Sequence, residues 1–89
     1  MTDQTINLAD ANAGTDDTNA GDKITWHNST GSTITLNPPT CVAPHNQETI
    51  SANSDGIKHT VNNGAKGTYD YSFTVGEALG TRSGTIKVN

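Results

Sequence analysis

Cysteine is almost missing from this sequence. Cys41 stands alone, so no disulfide can staple the fold internally, and cysteine usage does not place the protein in an oxidising or a reducing compartment. Aromatic residues are equally scarce, with only Trp26, Tyr69, Tyr71 and Phe73 among 89 residues. A single domain of this length buries only about 60–65% of the surface that its unfolded chain exposes, so the core must be thin. Basic residues are few and scattered (Lys23, Lys58, Lys66, Arg82 and Lys87), and with a net charge of −4 they exclude a phosphate-binding surface and hence a nucleic-acid partner. No apolar run approaches the roughly 20 residues that a membrane-spanning helix needs, so membrane insertion is not expected. The basic and apolar regions of a signal peptide are also missing from the N-terminus, which suits a cytosolic domain or one cut from a longer precursor.

What is present is Thr, Asn, Gly, Ser and Asp, a composition for turns and half-buried strands, with too little Leu, Ala, Glu and Lys for helices. Apolar residues recur at every second position: Ile6 and Leu8; Ile24 and Trp26; Ile34 and Leu36; Ile57, His59 and Val61; Tyr69, Tyr71, Phe73 and Val75; Ile86 and Val88. Each segment is one-sided, so each predicts a strand buried on one face and wet on the other, as in antiparallel sheets packed together. "QETISA", residues 47–52, adds a weaker seventh strand. Turn signals separate the strands at "NAGD", "NSTGS", "NSDG", "NNGAKG" and "GTRSG", and "GEALG", residues 76–80, is the one place where a helical turn is expected. Residues 1–20 read as partly loop. Six or seven short strands predict an all-β antiparallel sandwich, with Trp26, Ile34, Leu36, Val61, Tyr69, Tyr71, Phe73 and Ile86 in its core.

"GDKITWHN", then a strand, then "GTYDYSF", then a closing "GTIKV" resembles the cupredoxin family over residues 21 to 88. The resemblance implies a Greek-key β-sandwich of about seven strands, and a periplasmic or extracellular location. Copper-bearing members transfer electrons through two His, one Cys and usually one Met. Carried over by position, the first His falls on Thr33 or Ile34, the Cys on Phe73 and the Met near Arg82, and no histidine follows His59 to serve as the second. A benzyl group donates nothing to a metal and a guanidinium repels a cation. The resemblance with these residues in place implies a cupredoxin-like domain lacking the copper ligands, with no cofactor, and so separates the fold from its usual function.

Other residues offer alternatives. In "PPTCVAPHNQ", residues 38–47, Cys41 and His45 have a metal-ligand spacing, which His27 or His59 could extend to a displaced metal or redox site. Pro38, Pro39 and Pro44 instead make the stretch a loop or a sheet edge, with Cys41 tucked against the sandwich and His45 in water. Asp10, Asn12, Asp16, Asp17 and Asp22 suggest a weak Ca²⁺ loop, but Thr15 stands where the turn needs Gly and Gly21 where a bidentate Glu belongs; a solvated acidic loop is the simpler reading. Asn28-Ser29-Thr30 fits a glycosylation acceptor or an ordinary turn. His59 is expected on the core side with one nitrogen hydrogen-bonded, and His27 at the surface. No serine or threonine sits in a glycine-flanked elbow, so an enzyme is not expected. Two functions follow: a monomeric, non-catalytic, metal-free module that binds an unidentified protein or surface ligand, or a metal-binding or redox protein with a site near Cys41 and His45.

Overall fold

Alternating side chains leave each strand one apolar stripe to bury, and the chain buries these stripes by laying two sheets face to face. A computed structural model describes residues 2–76 and 80–89. It contains nine strands: β1 (Asp3–Leu8), β2 (Gly14–Thr18), β3 (Lys23–Asn28), β4 (Ile34–Asn37), β5 (Val42–Ala43), β6 (Glu48–Ile50), β7 (Ser54–Val61), β8 (Gly67–Val75) and β9 (Arg82–Val88). The first sheet has the order β1-β3-β7-β5 and the second β2-β9-β8-β4-β6. Every connection from β1 through β8 therefore crosses between sheets, and only β8–β9 joins neighbours within one.

The core lies between the sheets. Ile24, Trp26, Ile34, Leu36, Phe73 and Ile86 are fully buried, with Ile6, Leu8, Cys41, Val42, Ile50, Val61, Tyr71, Val75 and Val88 around them. Tyr69, expected in the core, lies at its margin, its hydroxyl turned to the backbone of Lys66. Three aromatic rings run along this interface: Trp26 meets Tyr71 edge-on at 4.9 Å, and Tyr71 stacks on Phe73 at 6.5 Å.

The sheets are mixed where antiparallel ones were expected. β1 runs parallel to β3 and β2 parallel to β9. One-sided alternation reports burial and not strand direction, so an edge strand that changes sheets after Leu8 carries the same pattern in either orientation. Nine strands replace about seven. The acidic stretch expected as a loop contains β2, which pairs Asp16 with Ile86 and Asp17 with Lys87, while residues 9–13 and 19–20 stay outside the strands. β2 contains no apolar residue, so period two could not mark it. "GTRSG", expected as a turn, contributes Arg82, Ser83 and Gly84 to β9.

Ile57 also departs from expectation: it is 55% exposed, not on the core face with His59 and Val61. Between Thr25 and His27 the pairing on β7 steps from Lys58 to Asp55, so β7 carries one extra residue in a bulge. That extra residue reverses the alternation and turns Ile57 to solvent. The expected helical turn at "GEALG" falls largely on residues 77–79, outside the described residues.

Candidate functional site

The positions to which the family resemblance carries metal ligands lie on or next to three adjacent strands of the second sheet, β4, β8 and β9. Ile34 and Phe73 are both fully buried; Phe73 faces Leu36 on one side and Arg82 on the other. Thr33 is exposed, and its carbonyl receives Gly76 N–H at 2.6 Å. Arg82 is half-buried, and its Nε donates to the Asp10 carbonyl at 2.8 Å, which fixes the guanidinium at the start of β9.

The proline-rich segment is split by burial. Cys41 is in the core, 2% exposed, with its thiol pushed up in pKa by that burial. Val42 and Ala43 form a two-residue edge strand on β7, as expected of a loop or an edge, and Pro44 ends it. His45 stands exposed, its Nε2 3.1 Å from the Pro38 carbonyl. His27 lies on the outer face of the first sheet, its Nδ1 2.6 Å from Asp55. Among the described residues, no three His, Cys, Asp or Glu side chains come together as a metal-holding group.

His59 is fully buried and packs edge-on to Trp26. Trp26 Nε1 donates to His59 Nδ1 at 2.9 Å, the single bonded nitrogen that its core-facing position predicts. Its Nε2 lies 3.9 Å from Glu48 Oε1, and neither atom has a hydrogen-bond partner. The other Glu48 oxygen accepts Ile57 N–H at 2.6 Å, so β6 in one sheet is tied to the β7 bulge in the other. Burial is the largest influence on His59 and lowers its pKa.

Asn28 is the functional-looking residue whose role the sequence concealed. It is completely buried, and its amide nitrogen lies within donating distance of the carbonyls of Ser32, Ile50 and Ser51 at 2.7–3.1 Å. Its carbonyl accepts from Thr30 N–H at 2.9 Å and Thr30 Oγ1 at 2.6 Å. Such a nitrogen is not available to a glycosyl donor, so the triplet is a structural turn that pins the β3–β4 connection to the end of β6. Its position at the end of the Trp-x-Asn strand was the available signal.

The acidic residues are not gathered as a calcium loop. Asp22 turns inward and accepts from Thr2 N–H and Asn19 N–H, both at 3.1 Å, and from Thr18 Oγ1 at 3.4 Å. These bonds, with Thr2 first, hold its carboxyl below the ordinary range. Asp22 borders an open cleft of about 320 Å³ whose wall also includes Asp3, Asp17, Asn19 and Asn89. Asp3 is already paired with Lys58 at 3.2 Å. Tyr71 places a buried hydroxyl, itself without a partner, against Gly84.

No protein-family model matches the chain, and no curated protein sequence does. Among solved structures it is similar to amicyanin from Paracoccus versutus (Thiobacillus versutus), at 15% identity and a TM-score of 0.59, over 96% of this chain and 81% of that one. This likeness shows a cupredoxin-like fold, in agreement with the fold that the family resemblance implies.

Proposed function

We propose that this domain is a monomeric, metal-free, non-catalytic cupredoxin-like module that binds a protein or surface ligand as part of an exported or surface assembly, in the periplasm or outside the cell. The observation that supports this reading is the burial of Phe73. Where the resemblance carries the thiolate, an aromatic ring stacks on Tyr71 and fills the core, with an aliphatic Ile34 on the neighbouring strand. Neither side chain has a lone pair to offer a metal, and the fixed Arg82 guanidinium beside Phe73 opposes a cation electrostatically. The solvent-facing base with a carboxylate beside it, His27 with Asp55, stands on an open sheet face and outside the cleft, which suits a binding surface better than a reaction site.

Binding in such a module falls to its loops or to a free strand edge. Three of the four edges are poor templates for a partner strand: β5 has two residues and ends at Pro44, β6 has three, and β2 carries Asp16 and Asp17. β1, with six residues, is the edge that supports strand addition. Titration with Cu²⁺ and Cu⁺, followed by visible absorption and by the NMR signals of the three histidines, tests the metal-free reading. Weak imidazole binding without an intense thiolate-to-copper band is expected. An intense blue or yellow chromophore that is lost in Cys41→Ser overturns it.

A further inference from the structure

We propose that Trp26, His59 and Glu48 form a proton-operated switch in the core: neutral His59 accepts the Trp26 indole hydrogen, whereas protonated His59 releases the indole and pairs with Glu48 and the Ile57 carbonyl. The argument begins with what each group can donate. An indole N–H only donates, so the 2.9 Å contact from Trp26 Nε1 requires a bare His59 Nδ1, and the neutral ring then carries its proton on Nε2. That Nε2 faces Glu48 Oε1 at 3.9 Å, and both atoms are buried without a partner.

Protonation turns both ring nitrogens into donors, and two donors cannot share the Trp26 contact. Acceptors for the charged ring are already in place. His59 Nδ1 lies 3.2 Å from the Ile57 carbonyl at the β7 bulge, and the Glu48 oxygen stands opposite Nε2. Each protonation state thus has its own partners. The neutral state ties β7 to β3 within the first sheet; the charged state ties β7 to β6 across the sandwich.

The groups acting on the ring are few. Glu48 on β6 favours its charged form; His45, in the loop before β6, opposes it; Trp26 from β3 is neutral. Lys23 and Lys58, on the strands that carry Trp26 and His59, bond to Thr60 and Asp3. Burial outweighs the Glu48 attraction, so the transition falls below the ordinary imidazole value of 6.5.

Trp26 is the chain's single tryptophan, so its fluorescence and its indole ¹H–¹⁵N signal report this site alone. Three results are expected. Near neutral pH, imidazole ¹⁵N shifts show the Nε2–H tautomer for His59. On acidification the indole signal and the His59 ring change together, in one step below pH 6.5, while backbone amide dispersion is retained. Glu48→Gln moves the midpoint lower, and His59→Gln, which keeps an acceptor for the indole, removes the step. A neutral Nδ1–H tautomer, an indole change that occurs only with global unfolding, an unmoved midpoint in Glu48→Gln, or a step that persists in His59→Gln overturns the proposal. If His59→Gln does not fold, the tautomer and the Glu48→Gln midpoint decide.

Discussion

The phenol of Tyr71 lies on Gly84, the residue it faces across the β8–β9 hairpin, so closely that a methyl group at position 84 would overlap the ring and its hydroxyl. Gly84 is therefore present for lack of a side chain, and it lets the buried Tyr71 ring of β8 cross its neighbour on the core side. Gly84→Ala should force Tyr71 from its position against Trp26 and cost about 1–3 kcal/mol of stability, the usual range for overpacking. Urea unfolding of the variant measures this. An undiminished midpoint would mean that Tyr71 does not occupy the position over Gly84.

Phe73→Ala removes a fully buried ring from the centre of the sandwich, where it contacts Tyr71 and faces Leu36 across β4–β8. The expected loss is about 3–5 kcal/mol, a large part of the stability of so small a domain. A variant as stable as the parent contradicts the register of β8, and with it the carry-over of the thiolate position onto this residue. Phe73→Cys alone should not create a copper centre, because Leu36 and Arg82 face it on either side and no histidine follows it.

How far the sequence discloses this structure depends on whether a residue's burial is set locally. β8 is readable because Tyr71, Phe73 and Val75 alternate with Asp70, Ser72 and Thr74 over an uninterrupted strand. β2 is not, since it has no apolar stripe and is placed chiefly by backbone pairing to β9. Ile57 misleads because a bulge is a relation between two strands and leaves no mark in the period of either. The candidate site divides similarly. His59 shares a stripe with Val61 and announces its burial, but Glu48 is drawn inward by an Ile57 amide nine positions away, and Asn28 by carbonyls more than 20 positions on. Polar residues buried by distant partners have no periodic signature.

Asn28→Ala should strand several backbone groups at once. The carbonyls of Ile50 and Ser51 lose their Asn28 donor and Thr30 N–H its Asn28 acceptor, at a cost of about 1–3 kcal/mol for the buried groups left unpaired. Chemical denaturation of the variant checks the magnitude. Expression of the parent through a glycosylating secretory route should add no glycan at Asn28 in the folded protein. Intact mass reports this directly, and a quantitative glycan there contradicts the burial of the side chain.

Acid should destabilise the domain in two stages. His59 has a folded pKa below its ordinary 6.5 because burial disfavours the charged ring, so its contribution is complete above that value and declines as pH falls below it. Asp22 has a folded pKa below its ordinary 3.8, chiefly through the Thr2 backbone bond, so its contribution is complete above 3.8 and is lost as pH falls through the lower folded value. Asp22→Asn should therefore be less stable than the parent at neutral pH and show a flatter decline below pH 4. Thermal midpoints between about pH 2 and 7 test both stages, and an Asp22→Asn profile parallel to that of the parent refutes the second.

Cys41 provides the sharpest separation between a packed thiol and a reactive one. It is 2% exposed, its backbone carbonyl holds Asn62 N–H at 2.8 Å, and burial pushes its thiol pKa up, so the nucleophilic thiolate is disfavoured in the folded state. A disulfide reagent should label the native protein far more slowly than the urea-unfolded chain, with a rate that follows local opening. Cys41→Ala should be tolerated better than Cys41→Ser, because the hydroxyl adds a polar group to an apolar position at a cost of about 1–3 kcal/mol if it finds no partner. Rapid labelling of the native protein, or a serine variant more stable than the alanine one, would place the thiol at the surface and reopen the reading of Cys41 and His45 as part of a metal or redox site.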